Sequence, residues 1–181
     1  MAYQEGYFPM AENRDGPIYW HFADPRAIIP LNKVKPHKSV KQTIRRENLT
    51  FKRDADFETV IRKCAARNET WISDDIIDSY INLHHSGYAH SIETYKDGKL
   101  VGGLYGVAIG GAFFGESMFS EISNASKAAF FYLCYHLNKH KFALLDSQYI
   151  NEHTKLLGAI EIPGSYYLNV LKRAIRIPVT F

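Results

Sequence analysis

Two short stretches of this chain carry polar groups into apolar surroundings. Glu116 stands among Phe113, Phe114, Met118 and Phe119, and Asp146 and Gln148 follow Ala143-Leu144-Leu145. Burying a carboxylate or an amide is costly unless a partner or a chemical task compensates it. In an alternating strand Phe114, Glu116 and Met118 share one face, and in a second strand Leu144, Asp146 and Gln148 do the same. Neighbouring strands would therefore bring Glu116, Asp146 and Gln148 together. Two accounts compete: a catalytic constellation, and a structural pairing of Glu116 with Lys127 or Arg67. Spacing alone leans slightly to the second.

Other reactive residues fit their chemistry less well. Ser117 has Gly115 two residues before it but Phe119 two residues after, so it lacks the paired glycines of a nucleophile elbow, and a Ser117, Asp146 and His153 triad is disfavoured. His136 and His140 stand four apart on a helical stretch, yet Leu137 replaces the glutamate of a zinc-binding HExxH and no third ligand is evident, so no metal is expected. Cys64 and Cys134 lie in apolar contexts without CxxC spacing, which speaks against a disulfide framework and for a reducing, cytoplasmic compartment.

The elements that must position these groups follow from periodicity. A short helix over residues 40–47, capped by Ser39, is followed by a helix over 57–67, capped by Asp56 and carrying Phe57, Val60, Ile61 and Cys64. A third helix starts at Asp74 or Asp75 and stops at Gly87. His90 to Tyr95 alternates as a strand, Asp97-Gly98 is a hairpin turn, and residues 99–108 return as its partner. Gly110-Gly111 turns the chain into a strand over 112–120. The helix from about 124 to 139 is apolar around nearly its whole circumference and so is buried. A strand to Gln148, a short helix from Glu152, a strand entry at 158–161 and a closing helix to Ala174 complete the chain.

With 181 residues, 46 % apolar and 14 % aromatic, the sequence supports one packed domain with at most a small lobe. Residues 1–30, punctuated by glycine and proline, are expected to form that lobe and residues 31–181 the main domain. The amino terminus has neither a basic nor an apolar leader segment, and the uncharged run 100–115 contains six glycines and is shorter than the roughly 18 to 20 apolar residues of a membrane span. No membrane association is expected.

The pattern predicts an α+β domain, helices packed on a mixed, mostly antiparallel sheet. Its order resembles acyltransferases of the GNAT type, but the strand–helix junction Ser120-Glu-Ile-Ser-Asn-Ala-Ser126 lacks the glycines of a CoA pyrophosphate loop. The formal charge is only +3, yet between Lys33 and Arg53 eight bases face one acid, Glu47. Lys38, Lys41 and Arg45, with Arg46, form a positive ridge suited to a phosphate backbone, and Trp71, Trp20, Phe8 and Tyr7 are candidate platforms for stacked bases. A plain solvated face and plain core packing are the competing accounts of these two features.

In sum these residues resemble the leucyl/phenylalanyl-tRNA-protein transferase family, through Gly6-Tyr-Phe-Pro9, Asp24-Pro-Arg-Ala-Ile-Ile-Pro30, Thr70-Trp-Ile72, His90-Ser-Ile-Glu93, Leu100-Val-Gly-Gly-Leu-Tyr-Gly-Val-Ala108, Phe114-Gly-Glu-Ser-Met-Phe-Ser120, Asn124-Ala-Ser-Lys127, Asp146-Ser-Gln148 and Leu157-Gly-Ala159. The resemblance implies a monomeric GNAT-like enzyme that takes Leu, Phe or, at the margin, Met from aminoacyl-tRNA. It joins that residue to the free α-amine of an acceptor protein beginning with Arg or Lys, marking the product for N-degron degradation, with no cofactor.

By the same resemblance Gln148 accepts a hydrogen bond from the attacking amine, Asp146 polarises and orients Gln148, and Glu116 orients the aminoacyl end or the amine. Gln148→Ala and Asp146→Ala are then both expected to fold but lose transfer. Leu104, Met118, Leu133, Leu137 and Leu145 are expected to line the aminoacyl pocket, and Trp71 to stack on the terminal adenosine. Two departures qualify the match: Met10 stands where the family usually has Trp, and the glycine-rich segment that precedes Gly6 in the family is missing, so the lobe is expected to be truncated. The rival functions are a transferase with Arg as donor or acidic termini as acceptors, a noncatalytic RNA-binding module, a Ser117 hydrolase and a CoA-dependent acyltransferase.

Overall fold

A computed structural model describes residues 2–67 and 70–181. After a 3-10 turn at Ala2–Glu5, β1 (Phe8–Met10) and β2 (Tyr19–His21) pair as a two-stranded ribbon, and β3 (Arg26–Ile29) leads to α1 (Lys38–Arg46) and β4 (Thr50–Arg53). Helices α2 (Phe57–Ala65) and α3 (Asp74–His85) precede the meander β5 (Ala89–Lys96), β6 (Lys99–Ile109) and β7 (Ala112–Ser120). Then come α4 (Ala125–Lys139), β8 (Leu144–Gln148), α5 (Glu152–Leu156), β9 (Ile160–Ile162) and α6 (Gly164–Ala174).

Seven strands form one sheet in the order β4-β5-β6-β7-β8-β3-β9, antiparallel throughout except for β7 and β8, which run parallel and are joined through α4. Helices cover both faces, so the α+β expectation holds. One core gathers α2, α3, α6 and Tyr3 against Tyr105, Val107 and Phe114, and the other gathers α1 and α4 against Ile92, Leu104, Phe113 and Leu145. The first 30 residues contribute more than a small lobe, because β3 lies inside the main sheet between β8 and β9.

Local chemistry accounts for the boundaries. The Asp56 side chain accepts from the Thr59 N–H at 3.3 Å, as an N-cap should, whereas α3 is capped by Ser73 and not by the aspartates after it. Helix α1 starts one residue before the expected cap Ser39 and has His37 at its N-cap, without a side-chain bond. The glycines of β6 allow close approach: a Cβ on Gly102 would lie 2.6 Å from the Ala125 Cβ, and one on Gly106 would lie 2.2 Å from the Phe114 carbonyl oxygen. Helix α4 is therefore seated directly on β6.

The pairing of β6 with β7 carries the decisive irregularity. Register passes from Gly106 opposite Gly115 to Tyr105 opposite Ser117, so Glu116 is an extra residue, a β-bulge. Before it, Phe114 faces the α2–α3 core. After it Met118 faces the α4 core, and Phe119 takes the α2–α3 side. The expectation that Phe114, Glu116 and Met118 share a face is thus corrected: the bulge leaves Glu116 beside Phe114 and turns Met118 to the opposite side.

Candidate active site

Strands β7 and β8 pair only from Ala112 opposite Leu144 to Phe114 opposite Asp146, then part. A cavity of about 410 Å³ opens where they diverge. Its floor carries Glu116 from the bulge and Asp146 and Gln148 from the end of β8, while Leu104, Met118, Leu133 and Leu145 supply apolar wall. The convergence of Glu116, Asp146 and Gln148 expected from alternation is present, although the bulge and not simple alternation delivers Glu116.

Asp146 is fully buried and saturated. Its Oδ1 accepts from Arg26 Nε at 2.9 Å and from the Gln148 backbone N–H at 2.9 Å, and its Oδ2 accepts from Arg26 Nη2 at 2.6 Å and from the Tyr167 hydroxyl at 2.5 Å. Arg26, also fully buried, donates through Nη1 to the Gly6 carbonyl at 2.8 Å, and its guanidinium carbon lies 4.6 Å from the Phe8 ring centre and 4.4 Å from that of Tyr167. A carboxylate holding four charge-assisted or short bonds has no spare capacity for proton transfer. One of the four bonds ties it to Gln148, whose backbone has a φ of 58°. The expected orientation of Gln148 by Asp146 therefore runs through the main chain, not the side-chain amide.

The Gln148 amide nitrogen donates to Glu116 Oε1 at 3.2 Å, which leaves the amide oxygen as the end able to accept from an incoming amine. Glu116 Oε1 also accepts from the Tyr3 hydroxyl at 2.7 Å, and Tyr3 and Tyr80 share a 2.5 Å hydroxyl–hydroxyl bond. No lysine or arginine pairs with Glu116 among the described residues, so the structural account with Lys127 or Arg67 falls. Burial, with a smaller push from the Asp146 charge, raises the Glu116 carboxyl to about 7 against the pull of the two tyrosine hydroxyls and Arg26. Burial and the nearby Glu116 charge push the Tyr3 and Tyr80 hydroxyls well above their ordinary value, so they remain protonated donors.

The other expected site residues are only partly assembled. Leu137 is buried in the α4 core and does not reach the wall: four residues along a helix is about 6 Å of rise, which carries it past the cavity that Leu133 lines. Phe130, Ile29 and Leu157 line the wall instead and were not anticipated. Trp71 and Met10 both border the cavity, with Phe8 beside them. Lys38, Lys41, Arg45 and Arg46 are exposed on α1 and none lines the cavity; Arg46 is engaged by Glu47 at 2.7 Å. Ser117, Asp146 and His153 form no triad, since the Ser117 hydroxyl accepts from Arg67 at 3.2 Å and His153 Nε2 lies 2.9 Å from the Met118 sulfur.

Sequence reasoning missed Arg26, Tyr167 and the Tyr3–Tyr80 pair. A signal existed for the first: a buried Asp146 requires a cationic partner, and Arg26 is a charge set in the apolar run Ala27-Ile28-Ile29.

A polar floor that can hold an amine beside an apolar side-chain slot, open at the seam of two parting strands, is the layout of a group-transfer enzyme. Residues 28–172 match the family model for leucyl/phenylalanyl-tRNA protein transferase. The chain is 50 % identical over 180 residues to the leucyl/phenylalanyl-tRNA–protein transferase of Gloeobacter violaceus, covering 99 % of this chain and 93 % of that one. It is 47 % identical over 184 residues to the protein of the same name from Chlorobium limicola, with 99 % and 95 % covered. A solved structure of L-PGS from Bacillus licheniformis superposes with a TM-score of 0.48 at 14 % identity, over 83 % of this chain and 50 % of that one. The chain belongs to the leucyl/phenylalanyl-tRNA protein transferase family.

Proposed function

We propose that the protein transfers leucine or phenylalanine, and methionine at the margin, from aminoacyl-tRNA to the N-terminal α-amine of an acceptor protein. The observation that carries this reading is the Glu116–Gln148 pair set beside an apolar wall in one cavity. The amine nitrogen attacks the ester carbonyl carbon, the C–N bond forms, the bond to the ribose oxygen breaks, and the amine proton ends on that oxygen, giving an amide and free tRNA.

The chain's own groups fit these steps. The Gln148 amide oxygen accepts from the amine and aims its lone pair at the ester. An α-ammonium has a pKa of about 7.7 to 8.0, so it is close in proton affinity to the Glu116 carboxyl and can give up its proton at little cost. Glu116 is therefore the group that exchanges a proton, and Asp146, through Gln148, is a positioning residue. Aminolysis of an activated ester involves no electron transfer, so no redox cofactor is required. An apolar wall of Leu104, Met118, Leu133 and Leu145 accepts Leu and Phe with only weak discrimination, about 1 to 3 kcal/mol per methylene. An arginyl donor would place its guanidinium against this apolar wall, which offers it no counter-ion.

The finer readings belong with this proposal: a GNAT-like core, in which α4 links the two parting strands; action in the cytoplasm as a monomer; Arg or Lys as the acceptor's first residue; and a product that serves as an N-degron. No helix among the described residues is long and apolar enough to cross a membrane. The test is to incubate the protein with Leu-, Phe-, Met- or Arg-tRNA and peptides beginning with Arg, Lys, Asp or Glu, following the products by mass. Addition of Leu or Phe to Arg and Lys peptides is expected; no addition from any of the first three donors would overturn the proposal.

A further inference from the structure

A second cavity, of about 570 Å³, adjoins the first, with Arg67, Met118 and His153 in the wall between them. The remainder of its lining includes Lys63 from α2, Ser120 and Glu121 from the end of β7, and Ser126 from the first turn of α4. Nothing in the chemistry above uses it.

Its charge is one-sided. Lys63 and Arg67 line it, and Lys127, adjacent to Ser126, is close enough to act on His153. Burial lowers the His153 pKa, and the Lys127 and Arg67 charges lower it further. Among the described residues Glu121 is the one carboxylate in the lining, and it is engaged by Lys63. That pair is exposed, and exposed pairs are weak enough to reorganise around a stronger anion. Arg67 uses Nη2 for the Ser117 hydroxyl and the Met118 carbonyl, which leaves other guanidinium N–H groups to bind a ligand. An acceptor chain beginning with Arg or Lys would be repelled from such a place.

The cavity is also connected on two sides. On one side Arg67 shares the first cavity with Trp71, four residues further along the chain. On the other, Asn124, just before Ser126, donates to the Thr43 hydroxyl at 3.1 Å, which ties the start of α4 to α1 and its exposed Lys41, Arg45 and Arg46. These contacts place the cavity within reach of both Trp71 and α1, so an anionic strand held by both could lay a phosphate in it.

We propose that the second cavity holds the backbone phosphate 5′ to the terminal adenosine of the donor RNA, with Arg67 and Lys63 as its counter-ions. This rests on the reading of the protein as an aminoacyl-tRNA-dependent transferase. It adds a subsite that discriminates the polynucleotide donor from a free aminoacyl nucleoside.

Two variants test it, Lys63→Gln and Ser126→Asp. The second places a carboxylate in the cavity wall in the first turn of a helix, where the helix dipole offsets part of the cost of burying it. Transfer is measured from Phe-tRNA and from 3′-O-phenylalanyl-adenosine, which lacks the phosphate. In both variants the ratio of kcat/KM for the two donors is expected to fall about tenfold, and for Lys63→Gln the dependence of log kcat/KM for Phe-tRNA on log salt should flatten by about 0.7. An unchanged ratio, whether both donors keep their activity or lose it equally, overturns the subsite while leaving the transferase reading standing. If the wild-type protein uses neither donor, that reading fails, and calorimetric titration then decides the subsite by itself. The wild type should bind cytidylyl-adenosine about tenfold more tightly than adenosine, and the variants should not; equal affinities, or no binding, overturn it.

Discussion

Asp146 holds Gln148 by its backbone N–H, at 2.9 Å, and spends its other three bonds on Arg26 and Tyr167. The carboxylate is thus part of a buried ion pair, and its removal leaves a fully buried guanidinium unpaired. Asp146→Ala is therefore expected to cost about 3–5 kcal/mol of stability, besides abolishing transfer. This revises the expectation that the variant folds normally. Thermal or urea unfolding checks it; a variant as stable as the wild type would refute the role assigned to the pair. Replacing both partners, Arg26→Met with Asp146→Leu, should recover stability without recovering transfer.

Gln148 differs, because its side chain borders the cavity and its backbone, at a φ of 58°, makes the Asp146 bond without help from the amide. Gln148→Gly keeps that conformation accessible and deletes the amide. It should unfold within a few degrees of the wild type, yet lose about 10²–10³-fold in kcat/KM for Phe-tRNA. Activity within threefold of wild type would remove Gln148 from the mechanism.

Glu116 carries a pH signature. Its carboxyl, raised by burial to about 7, is neutral below that pH and charged above it, so transfer should climb through about pH 7 as the base forms. Removing a donor moves the limb in a known direction: the Tyr3 hydroxyl favours the charged form, so Tyr3→Phe should shift the midpoint upward. Glu116→Gln should leave only the rise set by the acceptor amine's own pKa, about 7.7 to 8.0. A pH profile unaltered by either change would exclude Glu116 as the proton-exchanging group.

Stability follows the same group with the opposite sign. A carboxyl whose folded pKa exceeds its unfolded value of about 4.3 binds more protons folded than unfolded between about pH 4.3 and 7. Its contribution is most favourable below that window and is lost as pH rises through 7, by at most about 4 kcal/mol. Relative to Glu116→Gln, the wild type should therefore lose stability between pH 5 and pH 8. Parallel denaturation curves for the two proteins at both pH values would contradict the raised pKa.

How far the sequence foretold this arrangement depends on which interactions are local. The β7 boundaries, the Asp97-Gly98 turn and the buried α4 follow from periodicity and turn chemistry within a few residues of each site. The bulge at Glu116 does not, because it arises from how Gly106 on the adjacent strand meets Gly115. It reverses every later side chain on β7, and Met118 with them. The cage of Arg26, Tyr167, Tyr3 and Tyr80 comes from four separate elements, and only the demand that a buried Asp146 be neutralised hints at it. Leu137 was misassigned for a related reason: periodicity places it on the same face as Leu133 but cannot say where along the helix the cavity ends.

That last distinction is testable within α4. Leu133 lines the cavity and Leu137 is wholly buried beyond it, so identical truncations should have different effects. Leu137→Ala leaves a void in a packed core and should cost about 2–5 kcal/mol while leaving the ratio of kcat/KM for Leu-tRNA and Phe-tRNA unchanged. Leu133→Ala enlarges the slot by three carbon atoms, and the ratio should move toward Phe by at least about 10-fold, the lower end of what one methylene is worth in an apolar pocket. Competition between the two charged tRNAs for one peptide measures it directly. A ratio that moves with Leu137 and not with Leu133 would place the aminoacyl side chain deeper along α4 than the seam between β7 and β8.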